Sequence, residues 1–383
     1  MPKLLIVAGE VSGDMYAADL IAALHRQAPG LSFHGIGGDA SLAAGMELYR
    51  HTDEMAIIGL SEVAKRYPFL KRVMQELTDW VAREQPAAVI LIDYPGFNLR
   101  FAKRVKALGV PVIYYVCPQV WAWHRARIAQ LATVVDHLIT IFPFEADHFA
   151  GTDLRVTFAG HPLVDAAATA RAAPPAELPW QGARRIALLP GSRRVEIGHN
   201  LPVMLAAARR LERQEPDCSF LVAAPSARER VYSEAVIAQL AGQVPRQLAI
   251  VSGQTRDVLR QAKAAVVASG TATVETTLMD CPMVIVYKVA VMTYLLAKLL
   301  IRVPYIGMVN IIAGREICPE LIQHRATPAA IARTLEPLTH DTPQRAAMRD
   351  ALADVRASLG DGGAHDRAAT AVLQTIGRIQ APP

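Results

Sequence analysis

The chain has 383 residues, of which 52% are hydrophobic, and it carries a formal net charge of +5 with a pI near 9.1. This length suits two domains with separate cores, and the positive charge favours an anionic partner, which on charge alone is nucleic acid, an anionic lipid surface or a phosphorylated substrate. Four widely spaced cysteines without C-x-x-C spacing argue against a disulfide framework and a zinc site, and the lack of basic stretches interleaved with aromatic residues argues against nucleic acid.

The N-terminus and the most apolar segment both indicate a chain that stays in the cytoplasm. The first apolar run begins at Lys3, with no charged and then apolar leader before it. The nearest approach to a membrane span runs from Val284 to Ile301. It contains Lys288 and Lys298, and a buried strand followed by a helix is the simpler interpretation.

Short apolar runs alternate with helical patterns over the first 165 residues. The predicted strands are Leu4–Ala8, Ser32–Ile36, Ala88–Ile92, Pro111–Val116 and Leu138–Ile141, and the predicted helices include Ala17–Gln27, Phe69–Arg83 and Leu99–Leu108. Continuous apolar strands that alternate with helices indicate a parallel sheet covered on both faces.

A glycine-bearing turn, GEVSGD at 9–14, leads from the first strand into the first helix. Such turns present backbone N–H groups to a ligand. Ser12 and Asp14 are candidates for helix caps or for ligand contacts. The segment 35–40 fits G-x-G-x-x-A, but it follows the second strand, so it predicts a tight turn rather than a dinucleotide fingerprint.

Asp93 follows the apolar strand Ala88–Ile92 directly. In parallel sheets, ligands bind beyond the carboxyl ends of the strands, so a carboxylate there is placed to accept a proton from a substrate hydroxyl. The neighbouring Pro95 and Gly96 make a turn-forming aspartate an equal alternative.

Two stretches, 55–69 and 292–302, mix apolar and basic residues. This composition is typical of an interfacial helix and also of a core helix with a solvated face.

Ala166 to Gly182 is rich in alanine and contains Pro174, Pro175 and Pro179, which predicts an interdomain linker. The alternation then resumes, with strands predicted at Ile186–Leu189, Ser219–Ala223, Leu248–Val251, Ala264–Ala268 and Met283–Val286. We therefore predict an α/β fold of two Rossmann-like, doubly wound parallel-sheet lobes with a cleft between them. The lobes span 1–168 and 183–345, and C-terminal helices at 346–383 pack back across them.

Two further glycine turns follow strands in the second half. Gly191, Ser192 and Arg193 come first, and Arg193 offers a fixed positive charge to a diphosphate. Ser269, Gly270, Thr271 and Ala272 are small residues at a helix start, where a phosphate can approach the backbone N–H groups.

Glu275, in the first turn of that helix, is predicted either to cap it or to accept hydrogen bonds from a ribose diol. The chain contains neither Asp-x-Asp nor H-E-x-x-H. For a sugar-nucleotide enzyme, we therefore expect helix dipoles and basic side chains, rather than a metal or another cofactor, to offset leaving-group charge.

Taken together, these motifs resemble one family, the lipid-A-disaccharide synthases, which are inverting glycosyltransferases of the two-lobed GT-B architecture. The resemblance covers nearly the whole chain and rests, in chain order, on GEVSGD at 9–14, DYPGFN at 93–98, PQVWAW at 118–123, FPFE at 142–145, GHPL at 160–163, LPGSR at 189–193, SGTAT at 269–273 and NIIAGRE at 310–316.

The resemblance implies a substrate pair and a set of roles. The substrates would be UDP-2,3-diacylglucosamine and 2,3-diacylglucosamine 1-phosphate, joined into the β-1,6 lipid A disaccharide with release of UDP. Asp93 would be the general base on the acceptor 6-hydroxyl. The donor would be held by Gly191, Ser192, Arg193, Ser269, Gly270, Thr271, Ala272, Glu275 and Asn310, and the acceptor side would be lined by Gly9, Glu10, Ser12, Gly13 and Asp14.

Acylated substrates also imply peripheral attachment to the anionic inner face of the cytoplasmic membrane. The residues expected to contact the membrane or the acyl chains are Ile57, Ile58, Leu60 and Phe69. The glycine-rich break at 360–363 would permit an exchange of terminal helices between subunits, so a homodimer is a further expectation.

Two alternatives stay open on the sequence. One is another GT-B enzyme of UDP-sugars, such as a UDP-GlcNAc transferase or 2-epimerase. The other is a non-catalytic nucleotide-binding module attached to the membrane.

Overall fold

The structure is a computed structural model, and it describes residues 2–55, 60–119, 126–240, 242–290, 294 and 303–380. The chain divides into two compact units. Unit 1 comprises residues 1–162 and 360–383, and unit 2 comprises residues 163–359. Each unit contains one sheet in which every strand pair is parallel. The predicted fold class is confirmed.

The sheet of unit 1 has seven strands in the order β3-β2-β1-β4-β5-β6-β7. They are β1 Lys3–Ala8, β2 Ser32–Gly37, β3 Met46–His51, β4 Ala88–Ile92, β5 Val112–Tyr115, β6 His137–Thr140 and β7 Arg155–Phe158. The α-helices are α1 Val11–Gln27, α2 Asp39–Ala43, α3 Thr52–Met55, α4 Leu60–Glu84, α5 Pro95–Ala107 and α6 Ala126–Val134, and Pro143–Phe149 is a 3-10 helix.

Unit 2 has six strands in the order β10-β9-β8-β11-β12-β13. They are β8 Arg184–Leu189, β9 Cys218–Ala224, β10 Leu248–Ser252, β11 Ala264–Ala268, β12 Met283–Tyr287 and β13 Glu320–Ile322. The α-helices are α7 Leu163–Ala172, α8 Arg194–Gln214, α9 Ala227–Gln239, α10 Thr255–Gln261, α11 Thr271–Leu278, α12 Met308–Ala313, α13 Pro328–Leu335 and α14 Pro343–Ser358. Gln323–Arg325 and Glu336–Thr339 are 3-10 helices.

The central strands form because their residues are apolar and often β-branched, and they are covered on both faces. Every residue of β4, β9 and β11 is buried. Because both faces of such a strand are buried, its residues do not alternate between polar and apolar. It can therefore be predicted from the sequence as a continuous apolar run.

The last helix, α15 Ala364–Gln380, belongs to unit 1 although it ends the chain. It packs against α1, and polar contacts fix its register. Arg26 pairs with Asp366 at 2.6 Å, and a hydrogen bond of 2.7 Å joins His137 Nδ1 to Thr375 Oγ1. Of the C-terminal helices, α14 therefore lies in unit 2 and α15 in unit 1.

The predicted linker is wrong over part of its length, because residues 163–172 form α7, which packs against α11. Alanine stabilises a helix, and the prolines begin only at Pro174, after the helix has ended. Three edge strands, β3, β7 and β13, were not predicted, because none of them contains a continuous apolar run.

Some sequence predictions fall outside the described residues. They include Ile57 and Ile58, the tryptophans at 121 and 123, and the stretch 292–302 apart from Tyr294. Among the described residues, no helix combines the length and the apolar character needed to cross a membrane. All four cysteines are buried and free.

Candidate functional site

In unit 1, the turns that follow β1 and β4 lie side by side. Ala8 is in register with Ile92, so Gly9 and Asp93 both lie just beyond the carboxyl ends of these adjacent strands. The strand order reverses between β1 and β4, because the chain adds β2 and β3 on one side and β5 to β7 on the other. Ligands of doubly wound sheets bind at this switch point.

The turn at Asp93 holds an uncommon backbone conformation. Asp93 and Tyr94 both have φ of 47°, and Val116, which follows the adjacent β5, has φ of 66°. Residues other than glycine seldom adopt the left-handed region, and for the β-branched Val116 it is a clear outlier. Such strain gathers at functional sites.

Buried polar groups hold this turn in place. Asn98 Nδ2 donates to the Asp93 carbonyl oxygen at 2.8 Å, and the Tyr114 hydroxyl donates to the same oxygen. The Tyr94 hydroxyl donates to the Met55 carbonyl at 3.2 Å. A Cβ atom on Gly9 would lie 2.4 Å from the Tyr94 ring, so the close approach of the two turns requires glycine there.

The Asp14 carboxylate is bonded to the turn at 35–40. Its buried carboxylate accepts hydrogen bonds from the N–H groups of Gly38, Ala40 and Ser41 and from the Ser41 hydroxyl. Burial alone would raise the pKa of Asp14, but these hydrogen bonds outweigh it and lower the pKa. Of the predicted acceptor-side residues, Glu10 and Ser12 are exposed, whereas Gly9, Gly13 and Asp14 are buried.

In unit 2, the two predicted donor turns also lie at a switch point, here between β8 and β11. Leu189 is in register with Val267, so the turn at 190–193 and the turn at 269–273 leave the sheet next to each other. Gly191 has φ of 117° and Gly270 has φ of 145°, which are conformations that glycine adopts without strain. The side chains of Ser192 and Arg193 are exposed.

The turn at 269–273 is tied to the loop that precedes α12. Ser269 Oγ donates to the Ile306 carbonyl at 2.7 Å. The carboxylate of Glu320 in turn accepts the N–H groups of Ile306 and Gly307, at 3.0 and 2.9 Å.

Glu275 and Asn310 have partners within unit 2. Glu275 pairs with Arg256 at 2.8 Å, and burial raises the pKa of Glu275 against the effect of Arg256. Asn310 is buried. It donates to the Cys318 carbonyl and to Glu320, and it accepts the N–H groups of Ile317 and Cys318, all at 2.7–2.9 Å. Its side chain therefore holds the 317–320 segment.

Four residues that contact the predicted site residues or their turns were not predicted as site residues from the sequence: Asn98, Tyr114, Glu196 and Arg256. Glu196 accepts the N–H of Arg193 three residues before it, but the sequence carries no capping-box signal, because arginine stands where that motif has serine or threonine. Arg256 lies on α10 and Glu275 on α11, so only the folded chain brings them together, and no local sequence pattern predicts the pair.

Among the described residues, one group of side chains has the composition of a metal site, namely Glu215, Glu336 and His340. Glu215 also pairs with Arg184, the first residue of β8. The group thus lies towards the amino ends of the strands, opposite the turns described above, and it takes no part in the candidate site.

Two doubly wound units with glycine turns at both switch points define the class of protein as GT-B, the architecture of many sugar-nucleotide enzymes. Solved structures agree. A putative UDP-N-acetylglucosamine 2-epimerase from Listeria monocytogenes is similar with a TM-score of 0.67 at 15% identity, over 98% of this chain and 97% of the other. The calicheamicin glycosyltransferase CalG4 is similar with a TM-score of 0.62 at 16% identity, over 100% of both chains.

The family follows from sequence comparison. Residues 4–374 match the family model described as lipid-A-disaccharide synthetase. The lipid-A-disaccharide synthase of Syntrophus aciditrophicus is 40% identical over 376 residues, which cover 97% of each chain. That of Myxococcus xanthus is 38% identical over 383 residues, or 99% of each chain. The chain belongs to the lipid-A-disaccharide synthase family, and the resemblance drawn from the sequence is confirmed.

The chain is accordingly a glycosyltransferase of lipid A biosynthesis, and its family implies a UDP-sugar donor and a lipid acceptor. Of the predicted membrane contacts, Phe69 is partly buried against the core of unit 1, whereas Tyr67 on the same helix is 54% exposed.

Proposed function

We propose that this chain transfers 2,3-diacylglucosamine from UDP to the 6-hydroxyl of 2,3-diacylglucosamine 1-phosphate, with Asp93 as the general base. The observation that carries this proposal is the strained turn that holds Asp93 at the switch point of the first sheet. A turn-forming aspartate would need no such conformation, since turn types with negative φ accept aspartate readily.

The proposed reaction is a single displacement at C1 of the donor sugar. The acceptor 6-hydroxyl oxygen bonds to C1 while the bond from C1 to the phosphate oxygen of UDP breaks, so the configuration inverts. Asp93 accepts the hydroxyl proton, and UDP leaves with the electron pair. The N-terminal ends of α8 and α11 and the guanidinium of Arg193 stabilise the negative charge on UDP.

The remaining roles follow the placement of each residue. Gly191, Ser192 and the turn at 269–272 offer backbone N–H groups to the diphosphate, and Glu275 accepts hydrogen bonds from the ribose. Glu10 and Ser12, which are exposed, face the acceptor. Asn310 supports the donor site through the 317–320 segment.

The decisive experiment is to incubate the purified protein with both acylated substrates and to identify the product by mass. We expect Asp93→Asn to lose at least 100-fold in turnover, in line with the loss of a general base, while still binding UDP. Asp153→Asn, an exposed aspartate of the same unit, is the matched control. Turnover of Asp93→Asn at the wild-type rate would remove Asp93 from the base role.

Acceptor dependence separates this proposal from its rivals. Release of UDP only in the presence of 2,3-diacylglucosamine 1-phosphate supports the synthase. Turnover of UDP-GlcNAc alone would indicate an epimerase, and UDP binding without any turnover would indicate a binding module. The proposal includes no metal, so we expect EDTA to leave the rate unchanged.

We further propose peripheral attachment to the anionic inner face of the cytoplasmic membrane. It is supported by the acylated substrates, by the apolar and basic composition of residues 55–69, and by the exposed Tyr67. Replacing Ile57, Ile58 and Leu60 with serine should weaken binding to anionic vesicles, and unchanged vesicle binding and activity would argue against it. A homodimer stays a prediction from the glycine-rich break at 360–363, which sedimentation of the purified chain would test.

A further inference from the structure

The carboxylate of Glu196 lies in the turn that is proposed to hold the donor diphosphate. Its Oε2 accepts the N–H groups of Ser192 and Arg193 at 3.3 and 3.4 Å. Its Oε1 pairs with the Arg193 guanidinium at 3.2 Å. One carboxylate thus engages the two backbone donors and the cation that a diphosphate would use.

The turn is shaped around this carboxylate. A Cβ atom on Gly191 would lie 2.7 Å from Glu196 Oε2, so only glycine lets the carboxylate approach the backbone this closely. The Glu196 side chain is only 16% exposed, whereas that of Arg193 is 74% exposed. The anion is therefore held inside the turn, and its cationic partner extends into solvent.

We infer that Glu196 is an internal substitute for the donor diphosphate, which exchanges places with it during each turnover. On donor binding, Arg193 and the N–H groups of Ser192 and Arg193 release Glu196 and take phosphate oxygens. After the transfer, the carboxylate returns and helps to expel UDP. This inference rests on the proposed function, because it assumes that the turn at 190–193 binds the diphosphate.

The exchange has a consequence for affinity. Every diphosphate oxygen that reaches this turn must displace a charge-assisted hydrogen bond, so the measured affinity for UDP is lower than the turn alone would provide. A neutral amide in place of the carboxylate competes more weakly and does not repel the phosphate. Removing the charge should therefore tighten UDP binding and slow UDP release.

The test is calorimetric titration of UDP into the full-length protein and into Glu196→Gln. We expect the variant to bind UDP about tenfold more tightly, and UDP to inhibit it at correspondingly lower concentration. The matched control is Glu229→Gln, since Glu229 stands at the same position of the neighbouring helix α9, after the cap Ser226. That control should bind UDP as the wild type does.

The salt dependence distinguishes direct exchange from repulsion at a distance. Salt screens repulsion between separated charges, so a gain caused by repulsion alone would vanish at about 0.5 M NaCl. We expect the gain of Glu196→Gln to persist there. If that variant unfolds at a lower temperature than the wild type, Glu196→Ala provides a second comparison and should also bind more tightly.

The outcomes separate this inference from the proposed function. If the wild type binds UDP and neither variant binds it more tightly, or if the gain vanishes in salt, Glu196 is only a helix cap. If the wild type binds no UDP, the donor site proposed here is wrong and the inference fails with it.

Discussion

Asp93 and Tyr94 each hold a conformation that costs on the order of 1–3 kcal/mol in a residue other than glycine. The surrounding structure offsets that cost with the hydrogen bonds of Asn98 and Tyr114 and with the packing of the Tyr94 ring on Gly9. Rigid support of this kind suits a base that must meet a hydroxyl within hydrogen-bonding distance. The sequence placed Asp93 at a strand end, and only the folded turn distinguishes it from an ordinary turn residue.

His161 provides a pH prediction at the same scale. It is 1% exposed, its ring lies 5.0 Å from that of Phe142 between centroids, and burial together with His365 lowers its pKa to about 3. The unfolded chain binds a proton at His161 below about pH 6.5 that the folded chain does not bind. Stability should therefore fall as the pH falls from 6.5, by up to about 1.4 kcal/mol per pH unit from this group.

Urea unfolding between pH 5 and 8 measures this slope. His161→Asn should flatten the pH dependence, whatever its effect on stability at pH 8. His324→Asn, at an exposed histidine, should leave the slope unchanged. Equal slopes for the wild type and His161→Asn would show that His161 is protonated in the folded chain.

At the scale of elements, one side chain of the short helix α12 is bonded to the segment that follows it. Asn310 satisfies four hydrogen-bonding groups of the 317–320 segment, and Glu320 from that segment holds the loop to which Ser269 is bonded. The sequence motif suggested a contact with UDP. Because its side-chain amide is engaged with the 317–320 segment, we expect Asn310 to support the proposed donor turn.

Asn310→Ala should therefore act on stability first. Leaving buried partners unsatisfied costs about 1–3 kcal/mol each, so we expect a loss of at least about 3 kcal/mol and faster hydrogen exchange at the Ile317 and Cys318 amides. The affinity for UDP should fall only as far as the 317–320 segment becomes less stable. If the variant keeps normal amide protection and no longer binds UDP, Asn310 contacts UDP directly.

At the scale of the whole molecule, both ends of the chain belong to unit 1. It leaves unit 1 at residue 162, builds unit 2, and returns at residue 360 to add α15 beside α1. The positive charge is unevenly shared, because Lys and Arg outnumber Asp and Glu in unit 2 but not in unit 1. The unit that carries the proposed donor turns is thus the cationic one, which favours an anionic nucleotide.

Thr375→Val tests how much unit 1 depends on its terminal helix. The variant removes the 2.7 Å hydrogen bond to the buried His137, and we expect a loss of about 1–3 kcal/mol in urea unfolding. Thr370→Val, which changes an exposed hydroxyl of the same helix that is bonded to Gln27, should cost less than about 0.5 kcal/mol. Equal losses would show that α15 is held by its apolar face alone.

The sequence alone was enough to predict the central strands, the glycine turns and the family. Buried parallel strands need continuous apolar residues, and a turn that approaches a ligand or a ring closely needs glycine, so both leave local marks. The edge strands β3, β7 and β13 lack a continuous apolar run, and the alanine-rich helix α7 resembled a linker, so both were harder to predict.

The folded chain alone shows which polar side chains are engaged in hydrogen bonds within each unit. Asp14 and Asn310 belong to motifs as characteristic as that of Asp93, and the side chains of both form buried hydrogen bonds with backbone groups. The carboxylate of Glu196 lies inside the proposed donor turn. For Asp14 the reason is physical: its partners lie 24 to 27 residues further along the chain, and their approach is set by the packing of elements, which no local spacing encodes.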